Sequence, residues 1–348
     1  MNDINIEGNN STILITLNRE KVLNALNLNM VRKIYERIKE WDEDSKISGV
    51  VLRGAGSRAF CAGGDIVSVY HSRKEKNSTL HYDFFREEYL LNLAIKKFSK
   101  PWISILDGIS MGGGLGLSVH GSHRIITENT ITAMPETAIG LFPDVGGGYF
   151  LSRIENHLGH YLAITGSTMN SADTLFTGIG TNYIDSKSID KFLYEINKLD
   201  YYDNSMIDKI LLEMATSDGN HNEIQNHIDK INKHFSYSTV NEIIKSLENS
   251  NEVWEKNVLK TLKRKSPTSM AVTQKQLIKS KGLDFDDNLK MEFRICQAMM
   301  KKHDFYEGVR ANLVEKDRNP KWNPATIDLV TDEIIDSHFL NLNEKELF

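Results

Sequence analysis

A chain of 348 residues, 40% of them hydrophobic and 26% charged, is long enough to bury a sizeable core as one large domain or two smaller ones. Its formal net charge of −5, with no long cluster of Lys and Arg, argues against a nucleic-acid partner. No apolar run approaches the roughly 20 residues that span a bilayer, so no membrane partner is expected.

In chain order, residues 12–17 (TILITL) are rich in β-branched side chains and predict a strand. A polar connection over 18–27 leads to a helix from Met30 to Asp42, in which Val31, Ile34, Ile38 and Trp41 recur at helical spacing. A short apolar strand follows over 49–54 (GVVLRG), and then the loop AFCAGGD. Strand, helix, strand and glycine-rich loop in this order predict an α/β fold. Residues 66–80 are polar and basic and read as a mobile loop or frayed helix, and 84–98 as a helix. A buried strand (101–107, PWISILD) runs into a second glycine-rich segment, 108–116 (GISMGGGLG), with a helix starting near Leu115. Short strands at 123–128 and 130–134 deliver the chain to residues 134–148, MPETAIGLFPDVGGG.

Beyond Gly148 the pattern turns helical, with a helix start near Ser171 and a turn into a strand over 178–183. Between 186 and 265 Asn, Lys and Glu accumulate and apolar residues keep a helical period, as in a helical segment added to a core. Ser266-Pro267-Thr268 is a helix start, since Ser can cap and Pro fits the first turn. Helices are predicted over about 269–279 and 286–300. The expected organisation is therefore a core over 1–185, an added helical segment over 186–265 and a C-terminal helical region over 266–348 that packs on the core.

Residues 134–148 carry two carboxylates, Glu136 and Asp144, eight positions apart in an otherwise uncharged run. A carboxylate in apolar surroundings is costly unless something uses or satisfies it. A capped turn, with Asp144 as helix N-cap, is the structural alternative. The two glycine loops, 59–65 and 108–116, each follow an apolar strand. They lack the ending of a P-loop and the dinucleotide fingerprint, but two such loops can each aim one N–H at a single carbonyl oxygen. His120 and His123 have no third partner to make a metal ligand set, and no GxSxG elbow is present. Cys61 and Cys296 provide neither a disulfide framework nor a metal spacing and read as free thiols in a reducing compartment, with Cys61 a small buried residue. The polar, acidic opening MNDINIEGNN is unlike a signal or transit peptide, which suggests a cytoplasmic protein, or a mitochondrial-matrix one whose presequence has been removed.

AFCAGGD, then GISMGGGLGLSVHG, then MPETAIGLFPDVGGG together resemble the crotonase (enoyl-CoA hydratase/isomerase) superfamily. REEYLLN (86–92), KSPTSM, MEFR, HDFYEGVRA and EKDRNPKWNP extend the likeness over nearly the whole chain, with about 189–258 poorly matched. The wording is more similar to the superfamily's thioester-hydrolysing branch than to its hydratases. The resemblance implies a spiral of repeated ββα units followed by C-terminal helices, and hydrolysis of a short branched 3-hydroxyacyl-CoA thioester. No cofactor is implied, because coenzyme A is part of the substrate. By position it implies oxyanion donors in the backbone N–H groups of Gly64 and Gly113, catalytic acids Glu136 and Asp144, and a substrate contact from Glu88. Asn24, Ala25 and Leu26, with Cys61, Ala62, Gly63, Gly64 and Asp65, would meet the nucleotide end of CoA. Hydratases carry a second glutamate two residues after the glycine triplet, where this chain has Gly116. The acid pair has in effect moved to Asp144, which favours hydrolysis over hydration. A hydratase or isomerase and a non-catalytic acyl-CoA-binding homologue remain the alternatives. Crotonase relatives commonly self-associate through their C-terminal helices, and the added segment leaves the number of subunits open.

Overall fold

A computed structural model describes residues 2–348; Met1, the first residue of the expected core, lies outside them. The chain opens with an antiparallel hairpin, β1 (Ile4–Asn9) and β2 (Thr12–Leu17), and helix α1 (Leu28–Glu43). Next come β3 (Gly49–Gly54), β4 (Ala59–Cys61), α2 (Ile66–Ser72) and α3 (Leu80–Lys97), and then β5 (Trp102–Leu106), β6 (Ile109–Met111) and α4 (Gly113–Ser118). They are followed by β7 (His123–Ile126), β8 (Ile131–Ala133), α5 (Gly147–Leu151), α6 (Leu158–Thr165), α7 (Ser171–Phe176) and β9 (Asn182–Tyr183). Helices α8 (Ile189–Asn197), α9 (Asn204–Met214), α10 (Ile228–Phe235), α11 (Val240–Glu248) and α12 (Val253–Leu262) fill 186–265. Helices α13 (Pro267–Ser280), α14 (Phe285–Met299), α15 (His303–Val309) and α16 (Asp332–Asp336) follow.

From β3 onward successive strands alternate between two sheets. The six-stranded sheet has the order β1-β2-β3-β5-β7-β9, and the three-stranded sheet the order β4-β6-β8. From β2 onward the larger sheet is parallel, pairing Ile13 with Val50, Val51 with Ile103 and Ile105 with Ile125. A parallel sheet is covered on its faces, as in β5, where all five residues, Ser104 among them, are buried.

Contacts divide the chain into two compact units. The first comprises the residues up to Gly64, 90–132 and 168–226. Its core packs Val51, Ile103, Ile105 and Ile125 of the sheet against Phe192, Ile196, Ile207 and Leu211 of α8 and α9. The second comprises 65–89, 133–167 and 227–348. It holds α10 to α16, with α13 capped by Ser266, whose hydroxyl accepts from the Ser269 N–H at 3.1 Å. Helices of the 186–265 segment are thus shared, α8 and α9 in the first unit and α10 to α12 in the second.

One element differs from the sequence reading. Strand β1 goes unseen in a polar opening because it is an edge strand, with Ile4 as its one buried side chain. Of the two readings of 66–80, loop or frayed helix, residues 66–72 take the helix in regular form, started by the Asp65 carboxylate, which accepts from the Ser68 N–H at 3.1 Å.

Candidate active site

In the first unit, the strand pairing of β4 with β6 brings the two glycine loops side by side. A Cβ on Gly63 would lie 3.3 Å from the Met111 carbonyl and 3.9 Å from the Gly113 nitrogen. Gly63 has φ +112° and Gly112 φ +48°, backbone conformations that glycine adopts at little cost. Gly113 begins α4, where a helix offers its N–H no intrahelical acceptor. The same loops hold the segment containing Asn24, Ala25 and Leu26. The Leu26 N–H donates to the Gly63 carbonyl at 2.8 Å, Ala62 N–H to Leu23 at 3.0 Å, and the Asn24 amide to Ala59 at 2.8 Å. Thus Asn24, Ala25, Leu26, Cys61, Ala62, Gly63, Gly64 and Gly113 share one unit, while Asp65 caps α2 in the other. Cys61 is fully buried.

The close packing at Gly114 makes a prediction. A Cβ there would fall 2.3 Å from the Cys61 carbonyl oxygen and 3.0 Å from its Cβ. Gly114→Ala is expected to lose about 1–3 kcal/mol of stability by overpacking, read as a lower urea midpoint. An unchanged midpoint would mean that α4 and β4 can separate freely.

The second unit assembles the acids. Glu136 opens a 3-10 turn, Glu136–Ile139, ended by Gly140 at φ +69°, whose N–H bonds the Glu136 carbonyl. Gly140 is obligatory, because a Cβ would come within 2.2 Å of the Asp304 backbone. Asp144 does not cap the following helix with its side chain; Gly146 is the N-cap of α5. Instead Asp144 Oδ2 accepts from the Tyr89 hydroxyl at 2.8 Å. Glu88, one residue before Tyr89 on α3, faces the same acids without an ion pair among the described residues. Glu88 is 2% exposed, Asp144 4% and Glu136 5%, and Glu88 Oε1 and Glu136 Oε2 have no hydrogen-bond partner among the described residues.

Burial and mutual repulsion set the electrostatics. Burial, helped by the charges of Asp144 and Glu136, pushes the Glu88 carboxyl well above its ordinary value. Glu136 is likewise raised, first by burial and then by Asp144, with Lys265 acting the other way. Burial lifts Asp144 to about 7 against the Tyr89 hydrogen bond, which lowers it. Burial also brings the Lys265 ammonium down to about 8. Carboxyls that ionise near or above neutrality can take and return a proton, which is what general acid–base chemistry requires. Among the described residues no group of three or more His, Cys, Asp or Glu could hold a metal ion. His123 instead meets Asp208 at 3.1 Å and Ser122 at 2.9 Å, and His120 is buried.

Sequence reasoning missed two members of this cluster. Tyr89 lay inside the REEYLLN motif, and Glu292 inside MEFR. Glu292 is fully buried, and burial raises its carboxyl to about 8.

The sequence pattern of a family described as enoyl-CoA hydratase/isomerase matches residues 12–339. The chain belongs to the enoyl-CoA hydratase/isomerase family. Among its relatives is the human mitochondrial 3-hydroxyisobutyryl-CoA hydrolase, 42% identical over 99% of this chain and 90% of that protein. The enzyme of that name from Xenopus tropicalis is 45% identical over 96% of this chain and 88% of its own length. Among solved structures, a carnitinyl-CoA dehydratase from Mycobacterium thermoresistibile superposes with a TM-score of 0.92 at 34% identity, covering 100% of this chain and 99% of that one. An enoyl-CoA hydratase from Rhodobacter sphaeroides superposes with a TM-score of 0.90 at 32% identity, covering both chains fully. The crotonase-type α/β fold expected from the enoyl-CoA hydratase/isomerase motifs is therefore the fold of this chain.

Proposed function

We propose that this protein is an acyl-CoA thioester hydrolase that cleaves 3-hydroxyisobutyryl-CoA, a short branched 3-hydroxyacyl-CoA, to the free acid and CoA. The observation that carries the reading is the buried cluster of Glu88, Glu136 and Asp144, in a chain whose relatives bear the name of that hydrolase. The thioester carbonyl is received by the backbone N–H groups of Gly64 and Gly113, which stabilise the oxyanion as the carbon becomes tetrahedral. Losing one such donor typically costs about 2.7–4 kcal/mol of transition-state stabilisation.

Glu136 then acts by one of two routes. As a general base it takes a proton from water while the water oxygen attacks the carbonyl carbon. The tetrahedral adduct collapses, the C–S bond breaks, and the sulfur of CoA recovers that proton. As a nucleophile it attacks the carbonyl carbon directly, releasing CoA and leaving a mixed anhydride that water hydrolyses. In a single turnover in ¹⁸O-water, label found in Glu136 identifies the second route with water attacking the Glu136 carbonyl of the anhydride, since the first route never forms a bond to Glu136. Asp144 orients the acyl hydroxyl or the water and keeps the ionisation of the two acids apart. Glu88 contacts the acyl group. Asn24, Ala25 and Leu26, with Cys61, Ala62, Gly63, Gly64 and Asp65, receive the nucleotide end of CoA. The reaction needs no cofactor.

A hydratase is the second reading, favoured by the names of the two solved structures. Against it stands Gly116, where the hydratase pattern has its second glutamate. The expected result is free thiol released from saturated 3-hydroxyisobutyryl-CoA, followed with a thiol reagent. Hydration of crotonyl-CoA without CoA release would overturn the proposal in favour of a hydratase. Tight acyl-CoA binding without turnover would make the protein a binder. No helix among the described residues is long and apolar enough to cross a membrane. Of the two compartments considered above, the mitochondrial names of the relatives favour the matrix.

A further inference from the structure

Asp144 opens a turn that carries a strained residue. Val145, immediately after it, has φ +51°, a left-handed conformation that a β-branched residue rarely adopts, and Gly146 follows at φ +82°. Within the turn the Gly147 N–H donates to the Asp144 carbonyl at 2.6 Å, and the N–H groups of Gly146 and Gly148 take a partner from another element. That partner is the Glu292 carboxylate of α14. Its Oε2 accepts from the Gly146 N–H at 2.7 Å and its Oε1 from the Gly148 N–H at 2.8 Å. Asn288 donates to Oε1 at 2.8 Å and Gln276 at 3.1 Å. The Gln276 amide also donates to the Pro143 carbonyl at 2.8 Å, so the backbone is gripped on both sides of Asp144. Gly148 leaves room for this arrangement, since a Cβ there would stand 2.8 Å from Gln276 Nε2 and 3.0 Å from Glu292 Oε1.

We infer that Glu292 is a positioning residue for hydrolysis: by binding the Gly146 and Gly148 amides it holds the strained turn after Asp144 and so keeps the Asp144 carboxylate against the Tyr89 hydroxyl. The inference rests on the proposed role of Asp144 and deepens it. Glu292 meets the two amides through separate oxygens, whereas an amide side chain of the same shape has one oxygen and would turn its NH2 toward the other N–H.

Glu292→Gln is therefore expected to lower kcat for CoA release about 10–100-fold, as small misplacements of a reacting group do, while KM for the acyl-CoA stays within about threefold. Its far-UV circular dichroism and cooperative melting would match those of the unmodified protein. A folded Glu292→Gln protein with kcat within about twofold of normal, or with its loss confined to KM, would overturn the inference. If Glu292→Gln does not fold, Gln276→Ala decides. A kcat lowered about fivefold at constant KM supports the inference, and an unchanged kcat assigns Glu292 to folding alone. Asp144→Asn, measured alongside, separates the two readings. A fully active Asp144→Asn enzyme removes the role of Asp144 itself, whereas an inactive one beside a fully active Glu292→Gln removes only that of Glu292.

Discussion

Glu136→Gln is expected to lower kcat for thioester hydrolysis by about three orders of magnitude, within the ~10²–10⁴-fold that a positioned acid–base group contributes. The substitution keeps the shape of a side chain that is 5% exposed and has one oxygen without a hydrogen-bond partner among the described residues. It removes the ability to take a proton or to attack a carbonyl, so the loss should fall on kcat rather than on KM. Asp144→Asn supplies the companion measurement. Glu136 is raised first by burial and then by the Asp144 charge. Deleting that charge lets Glu136 ionise more readily, so the rise of residual activity with pH should move to lower pH. Rates from a thiol reagent across pH, with circular dichroism as the control on folding, make both checks. Near-normal hydrolysis by Glu136→Gln would remove this residue from the mechanism.

Between pH 6.5 and 8 the protein should lose stability as pH rises, by roughly 2–4 kcal/mol, seen as a melting temperature lower by about 5 °C. The sign follows from the carboxyls. Asp144 ionises at about 7 when folded and 3.8 ordinarily, and Glu292 at about 8 against 4.5. Glu88 and Glu136 are also raised well above 4.5. The folded state therefore holds protons that the unfolded chain has already released, and each such proton costs about 1.4 kcal/mol per pH unit as pH increases. The window is bounded by groups of opposite sense. Burial lowers His338 to about 4 from 6.5, which adds stability with rising pH below the window. Lys265, lowered to about 8 from 10.5, does so above it. All four acids are at most 5% exposed, so solvent screens them little. A melting temperature level or rising across this window would mean that these acids are ionised in the folded protein.

Much of the architecture was legible in local pattern. TILITL and GVVLRG became β2 and β3, the Met30–Trp41 periodicity lies in α1, and Ser266-Pro267 starts α13, because these signals lie within one element. AFCAGGD, GISMGGGLG and MPETAIGLFPD pointed to the family for the same reason: each motif is contiguous, and their order along the chain survives without coordinates. The sequence by itself thus determined the α/β class, the family and which acids to suspect. The tertiary structure decided how those acids behave. The sequence marks Glu88 only through the family likeness, and its burial beside two other carboxyls is visible only in the fold. For Asp144 the alternative of a helix cap stood open until Tyr89, 55 positions earlier, proved to be its partner. Glu292 reaches Gly146 across 146 positions, a separation no window of sequence can bridge. Burial, and the charge a group carries once buried, depend on neighbours that only folding brings near, which is why the surroundings of Glu136 and Asp144 follow from tertiary contacts rather than from their own letters.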